Sequence, residues 1–155
     1  MSLVTTVARA TDLLSIARSY AAEPDDWPFA PRFDPARRWY GRLASAEDHE
    51  VWLLTWLPGQ GTDLHDHGGS SGAFTVVSGE LVEQTVRGGE LVNSTYGEGQ
   101  GHRFGAHFVH RIVNASTRPA VTVHVYGPAL TAMTRYRLHD SRLTVESITK
   151  AGADW

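Results

Sequence analysis

The chain has 155 residues, 41% of them hydrophobic, and a formal net charge of −3 from 14 Lys and Arg against 17 Asp and Glu, values of one globular domain rather than a disordered chain. Cys is absent, which excludes disulfides, thiolate metal sites and a cysteine nucleophile, so a metal would be held by His, carboxylate or backbone oxygen. No apolar stretch is long enough to span a bilayer, the N-terminus lacks a signal-peptide layout, and Lys and Arg form no cluster; the chain reads as cytoplasmic, with neither nucleic acid nor membrane as partner. Leu3, Val7, Ala10, Leu14 and Ala17 recur at three- and four-residue steps, which predicts one opening amphipathic helix that Ser2 would cap. From Glu23 to Pro35 four prolines remove backbone donors and disfavour helix, predicting an extended arm wrapped on the body.

Short β-rich runs follow, at Arg38–Leu43, Glu50–Leu57, Ala73–Val77, Glu80–Val86, Glu90–Thr95, His110–Val113, Ala120–Tyr126, Met133–Leu138 and Leu143–Ile148. About nine strands at this spacing predict an all-β sandwich or barrel. Ser78-Gly79, Arg87-Gly88-Gly89 and Gly97-Glu98-Gly99 are the turns where a positive φ is expected. The whole chain, 1–155, is thus read as a single domain: residues 1–37 form the helix and arm, and residues 38–148 the barrel.

With Cys absent, the eight His become the residues to follow. His65 and His67 are two apart in a strand-like setting, where alternate side chains share a face and both imidazoles can reach one ion. His107 and His110 are both available as a third ligand from a second segment. His49, His102 and His139 stand without motif context and are read as exposed or hydrogen-bonded histidines. In Ala120–Tyr126, Val121, Val123 and Val125 alternate with Thr122, His124 and Tyr126, so three apolar and three polar groups occupy opposite faces.

Gly59, His65, His67 and Gly79 resemble the first motif of the cupin superfamily, with Gly72 where its usual glutamate ligand falls. Gly99, His110 and Asn114 resemble the second motif, whose register favours His110 over His107. Three imidazoles from two segments with no acidic partner suggest a facial site with open coordination positions. Within the cupins the chain resembles the cysteine dioxygenase family of thiol dioxygenases. The resemblance is carried by Trp39-Tyr40-Gly41-Arg42-Leu43, by His65-Asp66-His67 with Ser70, by Gly79-Glu80-Leu81 with Glu83, and by His110-Arg111-Ile112-Val113-Asn114 followed by the stretch from Pro119 to Pro128.

That resemblance implies a cupin-type β-barrel, a jelly roll with an N-terminal helix, holding one Fe(II) per chain through His65, His67 and His110. The implied reaction adds both atoms of O2 to a thiol, L-cysteine becoming cysteine sulfinic acid; 3-mercaptopropionate is the closest alternative substrate. A metal-dependent cupin that only binds a small carboxylated ligand is the alternative from another class. Arg42 matches the family's substrate-carboxylate arginine, with Tyr40 beside it. Thr122, His124 and Tyr126 match a relay that turns the polar face of their strand inward. Gly72 stands where animal members carry a cysteine crosslinked to the tyrosine, so Tyr126 is unmodified at that position. Gly127-Pro128 falls where some members have a cis peptide bond. The expected unit is a monomer or a weak homo-oligomer.

Overall fold

The computed structural model describes residues 12–150. Helix α1 spans Leu13–Ala21, and Asp12, in extended conformation, caps it by accepting from the amides of Leu14 at 3.1 Å and Ser15 at 3.4 Å. Of the positions on which the helix was predicted, Leu14 and Ala17 fall on α1, whereas Ser2, Leu3, Val7 and Ala10 lie outside the described residues. Ala17 is fully buried. The arm opens with a single 3-10 turn, Pro24–Asp26, where continuous extension was expected, and then runs without regular structure. It is tied down by side chains: Trp27 Nε1 donates to the Tyr20 carbonyl at 2.9 Å, Thr55 Oγ1 to the Arg32 carbonyl at 2.6 Å and Gln60 Nε2 to the Asp34 carbonyl at 2.7 Å.

Eleven strands follow among the described residues: β1 Trp39–Ser45, β2 Glu50–Trp56, β3 Leu64–Asp66, β4 Ser71–Ser78, β5 Glu80–Arg87, β6 Glu90–Gly97, β7 Gly101–Phe104, β8 His110–Val113, β9 Ala120–Gly127, β10 Ala132–His139 and β11 Arg142–Lys150. They form a five-stranded sheet, β1-β2-β9-β4-β7, and a six-stranded sheet, β11-β10-β3-β8-β5-β6, with antiparallel pairing. The architecture is the expected jelly roll with one helix, built as two facing sheets rather than a continuously hydrogen-bonded closed barrel. The nine predicted strands are all present. The two additional ones, β3 and β7, are short and carry no apolar alternation; their partners in the sheets define them.

Side chains of both sheets meet in one core, which includes Leu54, Trp56, Phe74, Leu81, Phe104 and Ile112. A second core lies outside the five-stranded sheet, where Val51, Leu53, Val121, Val123 and Val125 pack with Ala17 of α1, and Trp27 and Phe29 of the arm cover it. Strand β9 runs between the two. Its valines face the helix, and Thr122, His124 and Tyr126 point into the jelly roll, all three buried. The alternation in the sequence therefore marks two buried faces, one apolar and one polar.

The turn at Gly79 has φ +81°, and an added Cβ there would meet the Pro119 carbonyl oxygen at 2.5 Å, so the hairpin between β4 and β5 requires glycine. Gly127–Pro128 is a cis peptide bond.

Candidate metal centre and cavity

His65 lies in β3, His67 one residue beyond its end, and His110 opens β8 as the direct cross-strand partner of His65. The short β3–β8 pairing thus brings the two segments together, and the potential ligand atoms of the three imidazoles all lie within 4.8 Å of one another. His107 is not part of this group: it occupies a positive-φ position (+62°) in the loop before β8, where its amide donates to the Gly68 carbonyl at 2.9 Å.

Hydrogen bonding assigns the ring protons. His65 Nδ1 lies 2.7 Å from the Asp63 carbonyl and His110 Nδ1 2.8 Å from Glu83 Oε2, so each Nδ1 donates and each Nε2 is left with its lone pair. His65 Nε2 and His67 Nε2 face each other at 3.2 Å. Burial, followed by the neighbouring imidazoles, holds His65 and His67 well below the usual histidine range, which keeps these rings neutral and able to ligate. A neutral His67 ring can donate from Nε2 to His65 Nε2 or, by moving its proton to Nδ1, turn a third lone pair to a shared ion. The donor set therefore fits a divalent metal.

Glu83 anchors this arrangement from behind. It is buried on β5, and its other oxygen, Oε1, lies 2.7 Å from His102 Nδ1. Burial alone would raise its carboxyl, but the hydrogen bonds from His102 and His110 outweigh it and hold the group down to about 2. Such a carboxylate–histidine contact orients a ligand ring and raises its basicity. Sequence reasoning assigned Glu83 no role. The available signal was parity, since Leu81 and Glu83 alternate inward on β5. His102 is partly exposed and lies against Glu83, and His49 and His139 each lie beside an exposed neighbouring aspartate.

A second chain of contacts starts at Trp56. Its Nε1 donates to Thr122 Oγ1 at 2.9 Å, Thr122 Oγ1 lies 2.9 Å from His124 Nε2, and His124 Nδ1 lies 3.4 Å from the Tyr126 hydroxyl. Because Trp56 can only donate, the Thr122 hydroxyl is left to donate to Nε2, which puts the His124 proton on Nδ1, facing Tyr126. Burial first, and then the neighbouring His110, lowers His124 to about 3, while burial raises the Tyr126 phenol above its usual range. The imidazole is neutral and the phenol keeps its proton.

Both groups reach a cavity of about 140 Å3, whose wall also includes His65, His110, Tyr40 and Trp52. His67 lies behind it, stacked on Phe104 with ring centroids 5.1 Å apart and an interplanar angle of 24°. Phe104 also explains Gly72: a Cβ there would fall 2.5 Å from Phe104 Cζ and 3.2 Å from Tyr126 Cδ1. The ring occupies the space beside Tyr126 that a side chain at position 72 would need.

Tyr40 is brought to the cavity and Arg42 is not. Arg42 is exposed on β1, its guanidinium carbon 6.0 Å from the centroid of Trp52, its cross-strand partner. Trp52 lines the cavity, and the Arg42 side chain lies over it at the exposed end. The arginines that line the cavity are Arg38 and Arg135, two residues to which the sequence reading gave no role.

Comparison with known proteins points the same way. The family described as "Cysteine dioxygenase type I" matches residues 3–139. Cysteine dioxygenase type 1 of Danio rerio is 27% identical over 134 residues and that of Homo sapiens 27% over 130, each alignment covering 76% of this chain and 64% of the relative; the match thus spans about 64% of the length of these curated relatives. Among solved structures, a Thermus thermophilus protein has a TM-score of 0.58 at 24% identity, over 64% of this chain and 90% of that one. A Klebsiella pneumoniae protein with a double-stranded β-helix domain has a TM-score of 0.57 at 20% identity, over 83% and 91%. The two structures show the shared cupin fold. The extent of the family match on that fold means that the chain belongs to the cysteine dioxygenase type I family.

Proposed function

We propose that the protein is a mononuclear iron thiol dioxygenase that converts L-cysteine and O2 to cysteine sulfinic acid, with His65, His67 and His110 as the iron ligands. The observation that carries this reading is the pair of converging features at one small cavity: imidazole lone pairs on one wall and the protonated Tyr126 hydroxyl on another. Bound there, Fe(II) would supply the positive charge that favours a substrate thiolate and the electrons that zinc cannot give to O2.

The chain's own residues do the rest. Two of the three ligand rings are neutral by burial, so the ligand set adds no negative charge, and the substrate's thiolate supplies it. Glu83 and the Asp63 carbonyl fix the orientation of His110 and His65. With His124 Nδ1–H directed at the phenol oxygen, the Tyr126 hydroxyl donates its hydrogen bond into the cavity, towards the oxygen that is being transferred to sulfur. The reaction consumes one thiolate and one O2 and leaves one sulfinate, so no external reductant is needed.

The proposed functional unit is a monomer or weak homo-oligomer. The proposed setting is the cytoplasm, where thiols are kept reduced; no helix among the described residues is long and apolar enough to cross a membrane. The test is anaerobic Fe(II) loading, then admission of O2 with L-cysteine or 3-mercaptopropionate, with product detection by mass spectrometry. Cysteine sulfinate that disappears in His110→Ala is the expected result. Preference for 3-mercaptopropionate would change the substrate and keep the chemistry. Thiol binding by iron-replete protein without O2 uptake would leave a ligand-binding cupin instead.

A further inference from the structure

We propose that His102 is a positioning residue of the metal centre: reaching over from the opposite sheet, it holds one oxygen of Glu83 and so aims the other at the ligand ring of His110. The inference rests on the metal-binding part of the proposed function and extends it to a residue outside the ligand set.

The geometry begins with the two sheets. Strand β7 belongs to the five-stranded sheet, whereas β5 and β8 belong to the six-stranded one. Along β7, His102 and Phe104 are two apart and share a face, while Arg103 between them is exposed. His102 is thereby carried across to Glu83, whose side chain is only 1% exposed: its Nδ1 lies 2.7 Å from Oε1, and His110 Nδ1 lies 2.8 Å from Oε2. An ionised carboxylate has only lone pairs to offer, so the proton of each ring sits on the Nδ1 that faces it. The Tyr96 hydroxyl donates to the same Oε1 only at 3.5 Å, which leaves His102 as the close partner of that oxygen.

The surrounding rings hold His102 in this place. It stacks on Tyr96, with centroids 6.1 Å apart and planes 13° from parallel. Phe104 and Phe108 pack against both imidazoles, at 6.2 and 5.6 Å from His102 and at 4.8 and 5.5 Å from His110. The two histidines therefore share two phenylalanines as well as one carboxylate.

A glutamate side chain has several rotatable bonds, and its terminal torsion is broad. A single contact at Oε2 would leave the group free to turn away from His110. With both oxygens engaged, from two sheets, the carboxylate plane is fixed and Oε2 is presented to His110 in one direction. That contact orients the ligand ring and sets the basicity of its Nε2. His102 itself is 34% exposed and lies outside the group of converging donor atoms, so it acts through Glu83.

The experiment is competition of the metal-free protein with a chromophoric chelator for Zn(II), repeated anaerobically with Fe(II). The proteins are wild type, His102→Phe, His102→Asn, Glu83→Gln and the double variant His102→Phe/Glu83→Gln. His102→Phe keeps a ring and removes the donor, and it is expected to weaken metal binding about 3- to 30-fold. His102→Asn places an amide nitrogen near the position of Nδ1 and should return affinity to within about threefold of wild type. In the double variant, His102→Phe should add less than about twofold to the loss caused by Glu83→Gln, because no carboxylate is left to aim. A role in packing alone would lower affinity by the same factor in both backgrounds.

Wild-type affinity in His102→Phe, equal losses in the two backgrounds, or a His102→Asn protein as weak as His102→Phe would each overturn the assignment. If His102→Phe does not fold, His102→Met, a flexible side chain without a donor, takes its place in both backgrounds with the same outcomes. No thiol or O2 takes part in the competition, so the result is separate from the reaction. Sulfinate formation together with unaltered metal affinity in His102→Phe sinks this inference alone. The expected affinity pattern without sulfinate from the wild type sinks the dioxygenase reading alone.

Discussion

Tyr126 is the residue whose chemistry depends most on its surroundings. Burial keeps its proton in place, and His124 occupies its oxygen, so its one remaining function is to donate. Tyr126→Phe should retain bound metal, measured by elemental analysis, and lower kcat roughly 100-fold, the usual cost of one donor to developing negative charge; a kcat within twofold of wild type would remove the hydroxyl from the reaction. Glu83 gives a different signature because it acts through His110. Glu83→Gln can still accept from His110 but carries no charge, and metal affinity measured by chelator competition should fall about 10- to 100-fold. Unaltered affinity would mean that His110 is oriented by packing alone.

At the scale of elements, the contact that sets local packing is that of β4 with β7 and β9. Gly72 is paired with Phe104 on one side and Tyr126 on the other, and the Phe104 ring covers the space above it. Gly72→Ala should therefore destabilise the fold by about 1–3 kcal/mol, read as a lowered Tm, because a methyl group must displace an aromatic ring in a filled core. Phe104→Leu in the same chain should recover part of that loss, since the clash is with the far end of one side chain; equal loss in single and double variants would place the strain in the backbone. The helix offers a simpler case. Asp12→Ala removes the acceptor for two amides of α1 and should lower Tm, with no effect on the metal site on the opposite side of the five-stranded sheet. How the elements could be read from sequence differs in the same way. Strands β2 and β9 announce themselves by composition and alternation, whereas β3 and β7 are too short and too polar for any period to appear.

For the whole molecule, the buried polar interior makes the metal-free protein sensitive to acid. His65, His67 and His124 are all depressed below the ordinary 6.5, His124 to about 3, so the unfolded chain binds protons near pH 6.5 that the folded rings refuse. Their contribution is complete above about 6.5 and is lost as pH falls towards 3. Glu83, held at about 2 against an ordinary 4.5, adds a further loss between those two values. His102 works in the opposite sense, since its hydrogen bond to Glu83 raises it and its contribution fades at higher pH. The expected outcome is a Tm of metal-free protein that declines steadily from pH 6.5 downwards; a flat profile to pH 4 would mean that these rings are protonated in the fold. Divalent metal should raise Tm most above pH 6.5, where protons compete least for the imidazoles.

The sequence by itself determined the class of the fold, the two segments that bear the metal-binding histidines and the alternation of β9, because periodicity and spacing are local properties of a chain. Spacing alone left both His107 and His110 within reach, the motif register against Asn114 favoured His110, and the single β3–β8 pairing that sets His110 opposite His65 supplies the physical reason. Likewise the motif around Arg42 was legible, but not which arginine turns inward. That outcome belongs to tertiary packing, in which Arg42 lies exposed over the Trp52 ring while Arg38 lines the cavity. Glu83, His102 and Phe104 acquire their importance only from neighbours distant in sequence, since burial and desolvation are set by tertiary packing and leave no periodic trace in the chain.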